Sequence, residues 1–329
     1  MPTYNWPRMK ADGYQWWRAR IRQMATYFDA VRIDHILGFF RIWEIPTEMF
    51  QGLMGRFNPA LPLSGEELAA RGIPIMADAA RYCRPFLRRE VLAQRFGPHT
   101  DAVIALCCIP TGPDTCTLGP VADTQRKLLG LPLPASVTAA GVAAEAVVRR
   151  ELLKLCGEVL FLADAEKPGR FHPRINLHRT DSFHALDDLT RERVWQVYVD
   201  FFYQRHEHFW QTQGLERLPA VCAAADMLIC GEDLGMVPDC VPPVMAQLGI
   251  LGLRVQRMPT RRGIDVNNPA EYPYASVCTT ATHDMAPLRE WWASLPGAQA
   301  RDDFHDHILG RAGQAPPEAS PDLCALIIQ

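Results

Sequence analysis

The sequence lacks the features that mark membrane proteins and nucleic-acid-binding proteins. No apolar run approaches the ~20 consecutive residues that a membrane span needs. The 34 Lys+Arg residues are balanced by 37 Asp+Glu residues, so the formal net charge is only −3. This balance leaves no basic footprint for nucleic acid and no polybasic patch for a lipid surface. We therefore expect neither nucleic acid nor a membrane as a partner.

Cysteine spacing and glycine motifs exclude a second group of functions. The ten cysteines are scattered, and no two of them form a CxxC pair. Several lie within apolar runs, where a thiol acts as a small hydrophobic group. This usage, together with an N-terminal MPTYNW that lacks the regions of a secretory signal, predicts a cytoplasmic protein without disulfides or structural zinc. The dinucleotide and P-loop glycine motifs are also absent, so we expect no cofactor and no metal ion.

The residues that are present indicate a globular α/β enzyme. Hydrophobic residues make up 48% of the 329 positions and charged residues 22%, which is enough apolar material for one large domain or two smaller ones. Residues 14–28 have the apolar spacing of an amphipathic helix, and a short strand follows at Ala30–Ile33. Further strands are predicted at Met227–Cys230, Leu253–Met258 and Ala275–Thr280. Helices are predicted after them at Val241–Leu248, with Gly249 just past its end, and at Pro287–Leu295.

The middle of the chain has a different character. From about residue 58 to 190, helical segments alternate with loops that are rich in proline and glycine, such as 109–120 and 130–141. Val148, Leu152, Leu155 and Val159 lie on one face of a predicted helix, and a second helix is predicted near 191–210. This region therefore resembles an insertion into a regular α/β framework.

Three acidic residues stand where predicted parallel strands end: Asp34, Glu232 and Asp284. Carboxylates at the C-terminal ends of barrel strands suit glycoside chemistry, which uses a nucleophile and a general acid/base. Asp284 follows Glu232 by 52 positions, which fits two units of about 30 residues each. The alternative is that each is only a turn former or a helix cap, because aspartate often follows a strand for that reason.

The segments around these carboxylates resemble a known family. The strings WWRARIRQMATYFDAVRIDHILGFFRIWEIP (16–46), ICGEDLGMVP (229–238) and TATHDMAPLREWW (280–292) are similar to the catalytic blocks of the 4-α-glucanotransferases of glycoside hydrolase family 77, which includes amylomaltase. FNPALPLSGEEL (57–68) and LGLRVQRMP (251–259) resemble the cytosolic disproportionating enzyme two of plants and algae.

The resemblance implies a fold and a domain organisation. It implies a (β/α)8 TIM barrel with a large, mostly helical insertion. Residues 1–57 would carry the nucleophile strand, 58–210 the insertion, and 211–329 the strands of the acid/base and the stabiliser. Because the family has three strands before the nucleophile block, we expect this chain to be an incomplete barrel that lacks the N-terminal strands and part of the C-terminal end.

The resemblance also implies a reaction and roles for individual residues. The reaction is retaining transfer of glucosyl units from maltose or malto-oligosaccharides to a glycogen-like or heteroglycan acceptor. Asp34 would be the nucleophile, Glu232 the general acid/base and Asp284 the transition-state stabiliser. The substrate-binding residues would be Arg32, His283 and Asp233.

Elementary chemistry supports this division of roles. Arg32 lies two positions before Asp34, so on a strand both side chains point to the same face, and the guanidinium would keep the nucleophile ionised. Glu232 must instead keep a proton for the leaving group, which requires a less polar setting. Asp233 could equally cap the turn into the next helix. Hydrolysis by a related α-glucan hydrolase and a non-catalytic glycan-binding fragment remain as alternatives.

Overall fold

The computed structural model describes residues 3–259, 266–307, 309–311 and 313–328 and has a mixed α/β architecture. The chain divides into two compact units, Met1–Phe40 with Trp210–Gln329 and Arg41–Phe209. None of the helices in the described ranges is long and apolar enough to cross a membrane.

The strands are short, and in chain order they are β1 (Ala30–Ile33), β2 (Ile42–Glu44), β3 (Arg56–Asn58), β4 (Leu63–Ser64), β5 (Leu87–Arg88), β6 (Cys108–Pro110), β7 (Thr115–Leu118), β8 (Phe161–Ala163), β9 (Arg170–Pro173), β10 (Leu228–Gly231), β11 (Leu251–Val255) and β12 (Ser276–Thr279).

The α-helices of the described residues are α1 (Trp6–Ala11), α2 (Gln15–Ala25), α3 (Gly65–Ala70), α4 (Ala79–Cys83), α5 (Arg89–Phe96), α6 (Thr100–Cys107), α7 (Gln125–Gly130), α8 (Ala135–Thr138), α9 (Val142–Leu155), α10 (Asp181–His184), α11 (Asp188–Tyr203), α12 (Glu207–Cys222), α13 (Val241–Gln247), α14 (Leu288–Ser294), α15 (Gly297–His307) and α16 (Pro321–Ile328).

The first unit contains a parallel sheet with the strand order β1-β10-β11-β12. All three strand pairs are parallel, and Ile33 lies opposite Gly231 in the register. Cys230, Leu253 and Val255 are buried together in the core of this sheet. Because the strands are parallel, their C-terminal ends meet at one edge of the sheet, which we call the carboxyl edge.

The helices beside this sheet bury the faces that the sequence predicts. On α2, Trp17 and Ile21 are buried, and on α14 Trp292 is fully buried. Helix α13 has prolines in its first turn and ends just before Gly249, whose φ of +67° is the left-handed conformation that glycine adopts without strain. The predicted elements on either side of the carboxyl edge are therefore present, with ends that differ by one to three residues.

The second unit contains most of the other helices and three small antiparallel sheets, β2-β3, β4-β9-β8 and β5-β7-β6. Helix α9 buries Val148, Leu152 and Leu155, as its spacing predicts, but it ends at Leu155, so Val159 is buried outside the helix. The single helix predicted near 191–210 is wrong, because α11 ends at Tyr203 and α12 begins at Glu207. Gln204 leaves the helical conformation at φ −134°, and both Gln204 N and Arg205 N donate to the carbonyl of Asp200.

The second unit begins earlier in the chain than the insertion predicted over 58–210. It starts at Arg41, because β2 pairs antiparallel with β3 and so joins residues before 58 to those after it. Among the described residues, the strands of this unit pair only with one another. The assignment of the region as an insertion into a barrel stays a prediction.

Candidate active site at the carboxyl edge

Two of the predicted catalytic carboxylates stand on neighbouring strands. Asp34 follows β1 directly and Glu232 follows β10 directly. The pairing continues to this point, since Glu232 N donates to the carbonyl of Ile33 at 2.9 Å. The next turn is also joined to β10, because Ile36 N donates to the carbonyl of Glu232 at 3.1 Å. The backbone therefore fixes the two residues at the same level of the carboxyl edge.

Asp34 has the cationic partner that its sequence context predicts. Arg32 Nη2 lies 2.7 Å from Asp34 Oδ1, with both side chains on the same face of the strand. The Asp34 side chain is 65% exposed, so it is accessible to a ligand. The ion pair orients the carboxylate oxygen atoms, one of which would attack carbon.

Glu232 is half-buried, and its carboxylate is held by the backbone. Oε2 accepts a hydrogen bond from His35 N at 2.8 Å, and Oε1 accepts one from Leu234 N at 3.1 Å. His35 is one of the described non-glycine residues with a positive φ, at +49°. Such a conformation is costly and persists where the surroundings require it. The sequence argument expects a less polar setting for Glu232, and the two N–H donors differ from that expectation.

The predicted role of Asp233 as a sugar ligand does not agree with its position. Its side chain is only 5% exposed. Oδ1 accepts a hydrogen bond from Leu253 N at 2.8 Å, and Oδ2 lies 3.0 Å from Arg254 Nη1. The carboxylate is thus directed at β11 and attaches the tip of β10 to that strand. These contacts also differ from the alternative role of capping the turn into the next helix, because both carboxylate oxygens face β11.

We expect Asp233→Ala to destabilise the protein by about 1–3 kcal/mol, because it leaves the buried amide of Leu253 without an acceptor. Urea denaturation measures the free energy of unfolding. Asp239→Ala removes an exposed carboxylate nearby and serves as the matched control, with an expected change within about 0.5 kcal/mol. If Asp233→Ala left stability unchanged but weakened sugar binding, Asp233 would be a sugar ligand after all.

His283 and Asp284 lie in the loop after β12, at the same edge of the sheet. Both side chains are exposed, by 60% and 82%, and His283 Nε2 is 3.5 Å from Asp284 Oδ2. Asp284 N donates to Thr282 Oγ1 at 3.3 Å, which orders the turn. The loop therefore presents an imidazole and a carboxylate to solvent, as hydroxyl-binding groups require.

Arg257 is a residue of this site that the sequence analysis does not single out. It follows β11, and it is 91% buried. Its Nε donates to the carbonyl of Thr280 at 2.8 Å and its Nη2 to the carbonyl of Ala286 at 2.7 Å, so one side chain binds both ends of the loop that carries His283 and Asp284. Its guanidinium also lies 5.0 Å from the ring of Trp291. Burial lowers the pKa of Arg257, yet an arginine remains charged.

The whole chain is similar to known proteins. A family model described as 4-alpha-glucanotransferase, Glyco_hydro_77, matches residues 1–329. The chain is 37% identical to 4-alpha-glucanotransferase DPE2 of Oryza sativa subsp. japonica over 328 residues, which cover 100% of this chain and 34% of that protein. It is 51% identical over 105 residues to the 4-alpha-glucanotransferase of Streptococcus pneumoniae serotype 4, covering 32% of this chain and 18% of that protein.

A third relative shows the same pattern of partial coverage. The chloroplastic/amyloplastic 4-alpha-glucanotransferase of Solanum tuberosum is 40% identical over 80 residues, 23% of this chain and 14% of that protein. The chain thus spans about a third of the length of the rice relative. No solved structure gives a significant match.

Proposed function

Because the chain belongs to the Glyco_hydro_77 family of 4-alpha-glucanotransferases, we propose that its carboxyl edge is the active site of a retaining 4-α-glucanotransferase. The observation that carries the proposal is that Asp34 and Glu232 follow the adjacent parallel strands β1 and β10. Asp284 follows β12, which lies two strands from β10, at the same edge of the sheet. A retaining mechanism uses two carboxyl groups about 5–5.5 Å apart, one on each side of the bond that breaks. Adjacent strand ends suit that separation.

The four-stranded sheet is, in this proposal, one part of a (β/α)8 barrel. Support comes from the parallel pairing of all its strands and from functional residues that follow their C-terminal ends, as in barrel enzymes. Residues 1–57 and 211–329 would contribute barrel strands, and 58–210 would form the insertion. We place the protein in the cytoplasm, a reducing compartment that suits ten free cysteines.

The proposed reaction is a double displacement. Asp34, oriented by its ion pair with Arg32, attacks the anomeric carbon of the donor and forms a covalent glucosyl ester, while Glu232 protonates the departing glycosidic oxygen. Glu232 then removes the proton of the incoming hydroxyl, and the acceptor takes the sugar with retained configuration. Asp284 and His283 bind hydroxyls of the glucosyl unit as it becomes oxocarbenium-like.

The hydrogen bonds to Glu232 affect how it works in this scheme. The N–H groups of His35 and Leu234 fix the position of the carboxylate. Glu232 donates a proton in the first displacement and accepts one in the second, so a fixed position serves both steps.

The proposed donors are maltose and malto-oligosaccharides, and the proposed acceptor is an α-1,4-glucan such as glycogen. Incubation with maltose, with and without glycogen, tests the transfer directly. We expect added glycogen to increase glucose release, because it supplies further acceptor hydroxyls. Glucose release that glycogen does not change, with no maltotriose or longer glucan formed, would mean that water is the acceptor and would contradict transfer.

Arg257 provides a test of how the loop of His283 and Asp284 is positioned. We expect Arg257→Gln to lower kcat by about 10- to 100-fold, because the loop loses its two anchors and Asp284 leaves its productive position. Arg257→Lys should be intermediate, since an ammonium can bind one of the two carbonyls. Steady-state kinetics measures the effect, with the exposed Arg289→Gln on α14 as the control. An unchanged kcat in Arg257→Gln would mean that Arg257 stabilises the fold without positioning Asp284.

A further inference from the structure

The unit Arg41–Phe209 contains a cavity of about 410 Å³ that has no part in the proposed function. Four cationic side chains, Arg95, Lys154, Arg174 and Arg179, and two acidic ones, Glu151 and Glu158, line it. The size falls within the range of small-molecule sites. The lining residues come from distant parts of the sequence and contain no aromatic ring among those described, so stacking on a sugar is not how this cavity would recognise a ligand.

The acidic residues of this cavity already have partners. Glu158 Oε1 accepts a hydrogen bond from Arg95 Nη2 at 2.6 Å, and its Oε2 accepts one from Asp181 N at 2.8 Å. Glu151 Oε1 lies 2.7 Å from Lys154 Nζ. Burial alone would raise the pKa of Glu151, but Lys154 and nearby arginines outweigh it, so the pKa is lowered. Asp181 also pairs with Arg95. With Asp181 included, the acidic side chains are still fewer than the cationic ones, so the cavity keeps an excess of positive charge.

Arg174 and Arg179 supply donors that the protein itself does not use fully. Arg174 is 94% buried, and its Nη1 donates to the carbonyls of Ile175 and Asn176. Its Nε has no hydrogen-bond partner among the described residues, which is unfavourable for a buried charged group. Arg179 is exposed and forms no ion pair with any residue in the described ranges. Two guanidinium groups at one cavity suit an oxyanion, because their charged N–H groups form strong hydrogen bonds to it.

We propose that this cavity binds a phosphate group, either free phosphate or the phosphate of a small sugar phosphate. Arg179 binds it from the rim and Arg174 from within. The site does not depend on the carboxyl edge, since none of the strand-tip carboxylates lies in this unit. A test of this proposal therefore does not depend on whether the protein transfers glucosyl units.

Isothermal titration calorimetry on the purified protein tests the proposal with three probes: inorganic phosphate, glucose 1-phosphate and uncharged glucose. We expect saturable binding of a phosphate probe that Arg179→Gln weakens at least about tenfold, the loss of a charge-assisted hydrogen bond. Because Arg179 is exposed, this variant should fold normally. Arg84→Gln removes an exposed arginine of the same unit that does not line the cavity, and it should leave the affinity unchanged.

The probes also separate the two sources of phosphate. Equal affinity for both phosphate probes identifies free phosphate as sufficient, and tighter binding of glucose 1-phosphate shows that the sugar contributes. The proposal is overturned if neither phosphate probe saturates at millimolar concentration, or if Arg84→Gln weakens binding as much as Arg179→Gln. It is equally overturned if glucose alone binds with the same dependence on Arg179.

Discussion

Replacement of Asp34 by alanine should abolish glucosyl transfer, with a loss in kcat of more than about 10⁴-fold, as expected when a nucleophile is removed. Without this carboxylate no covalent glucosyl ester can form, and no other described side chain pairs with Arg32 at this position. The fold should survive, because Asp34 is exposed and its ion pair contributes at most about 1 kcal/mol. The assay is transfer from maltose to glycogen, combined with urea denaturation.

Asp29→Ala is the matched control for this result. Asp29 is an exposed aspartate at the opposite end of the same strand, just before β1. Its replacement should change transfer by less than about twofold, because surface substitutions away from a site have small effects. Residual transfer within tenfold of the unsubstituted protein in a folded Asp34→Ala variant would rule out Asp34 as the nucleophile.

Glu232→Ala should have a large effect on transfer from maltose and a small effect on the glucosylation of Asp34 by an activated donor. Maltose needs a proton on its leaving oxygen, so general acid catalysis worth about 10²–10⁴-fold is lost. α-Glucosyl fluoride needs no such proton, and it should still glucosylate Asp34. The ester should then accumulate, because the base for the second displacement is missing. Assays quenched at successive times measure transfer from maltose and glucosylation by the fluoride.

Azide should restore turnover of the activated donor in the Glu232→Ala variant. It attacks the ester without needing a base, and the product should be α-glucosyl azide, with retained configuration. The role of Glu232 is wrong if a folded Glu232→Ala variant fails with the fluoride as completely as Asp34→Ala does. An azide product of inverted configuration would contradict the covalent intermediate.

Local sequence patterns were sufficient to predict the framework of the carboxyl edge. The strand Ala30–Ile33, the glycine after α13 and the buried faces of α2 and α14 all follow from apolar spacing and from backbone conformational preferences. The pairing of Arg32 with Asp34 also follows, because residues two apart on a strand share a face. These features depend on residues that are close in sequence.

The features that sequence analysis missed depend on contacts between distant residues. Whether Asp233 faces sugar or β11 is decided by the amide of Leu253, 20 positions away. The setting of Glu232 is decided by His35, which lies 197 positions away in the turn after β1. The break between α11 and α12 is not predictable from the local sequence, because no proline or glycine stands at Gln204 and the apolar spacing continues across it.

Arg257 and the cationic cavity of the unit Arg41–Phe209 were missed for related reasons. An arginine after a strand is normally solvated, and nothing in the local sequence shows that the loop carrying Asp284 folds over Arg257. The cavity has no glycine-rich motif that a sequence search could find. Its cationic residues are separated by up to 84 positions, from Arg95 to Arg179. Only the tertiary structure brings these residues together.

The most direct test of the account is the identity of the residue that carries the sugar. Glu232→Ala protein is mixed with α-glucosyl fluoride, quenched in acid and digested, and the peptides are examined by mass spectrometry. The account predicts a single glucosyl ester on Asp34, in the peptide that contains VRIDH. A glucosyl group on any other residue, or no labelled peptide while fluoride is released, would contradict Asp34 as the nucleophile of a double displacement.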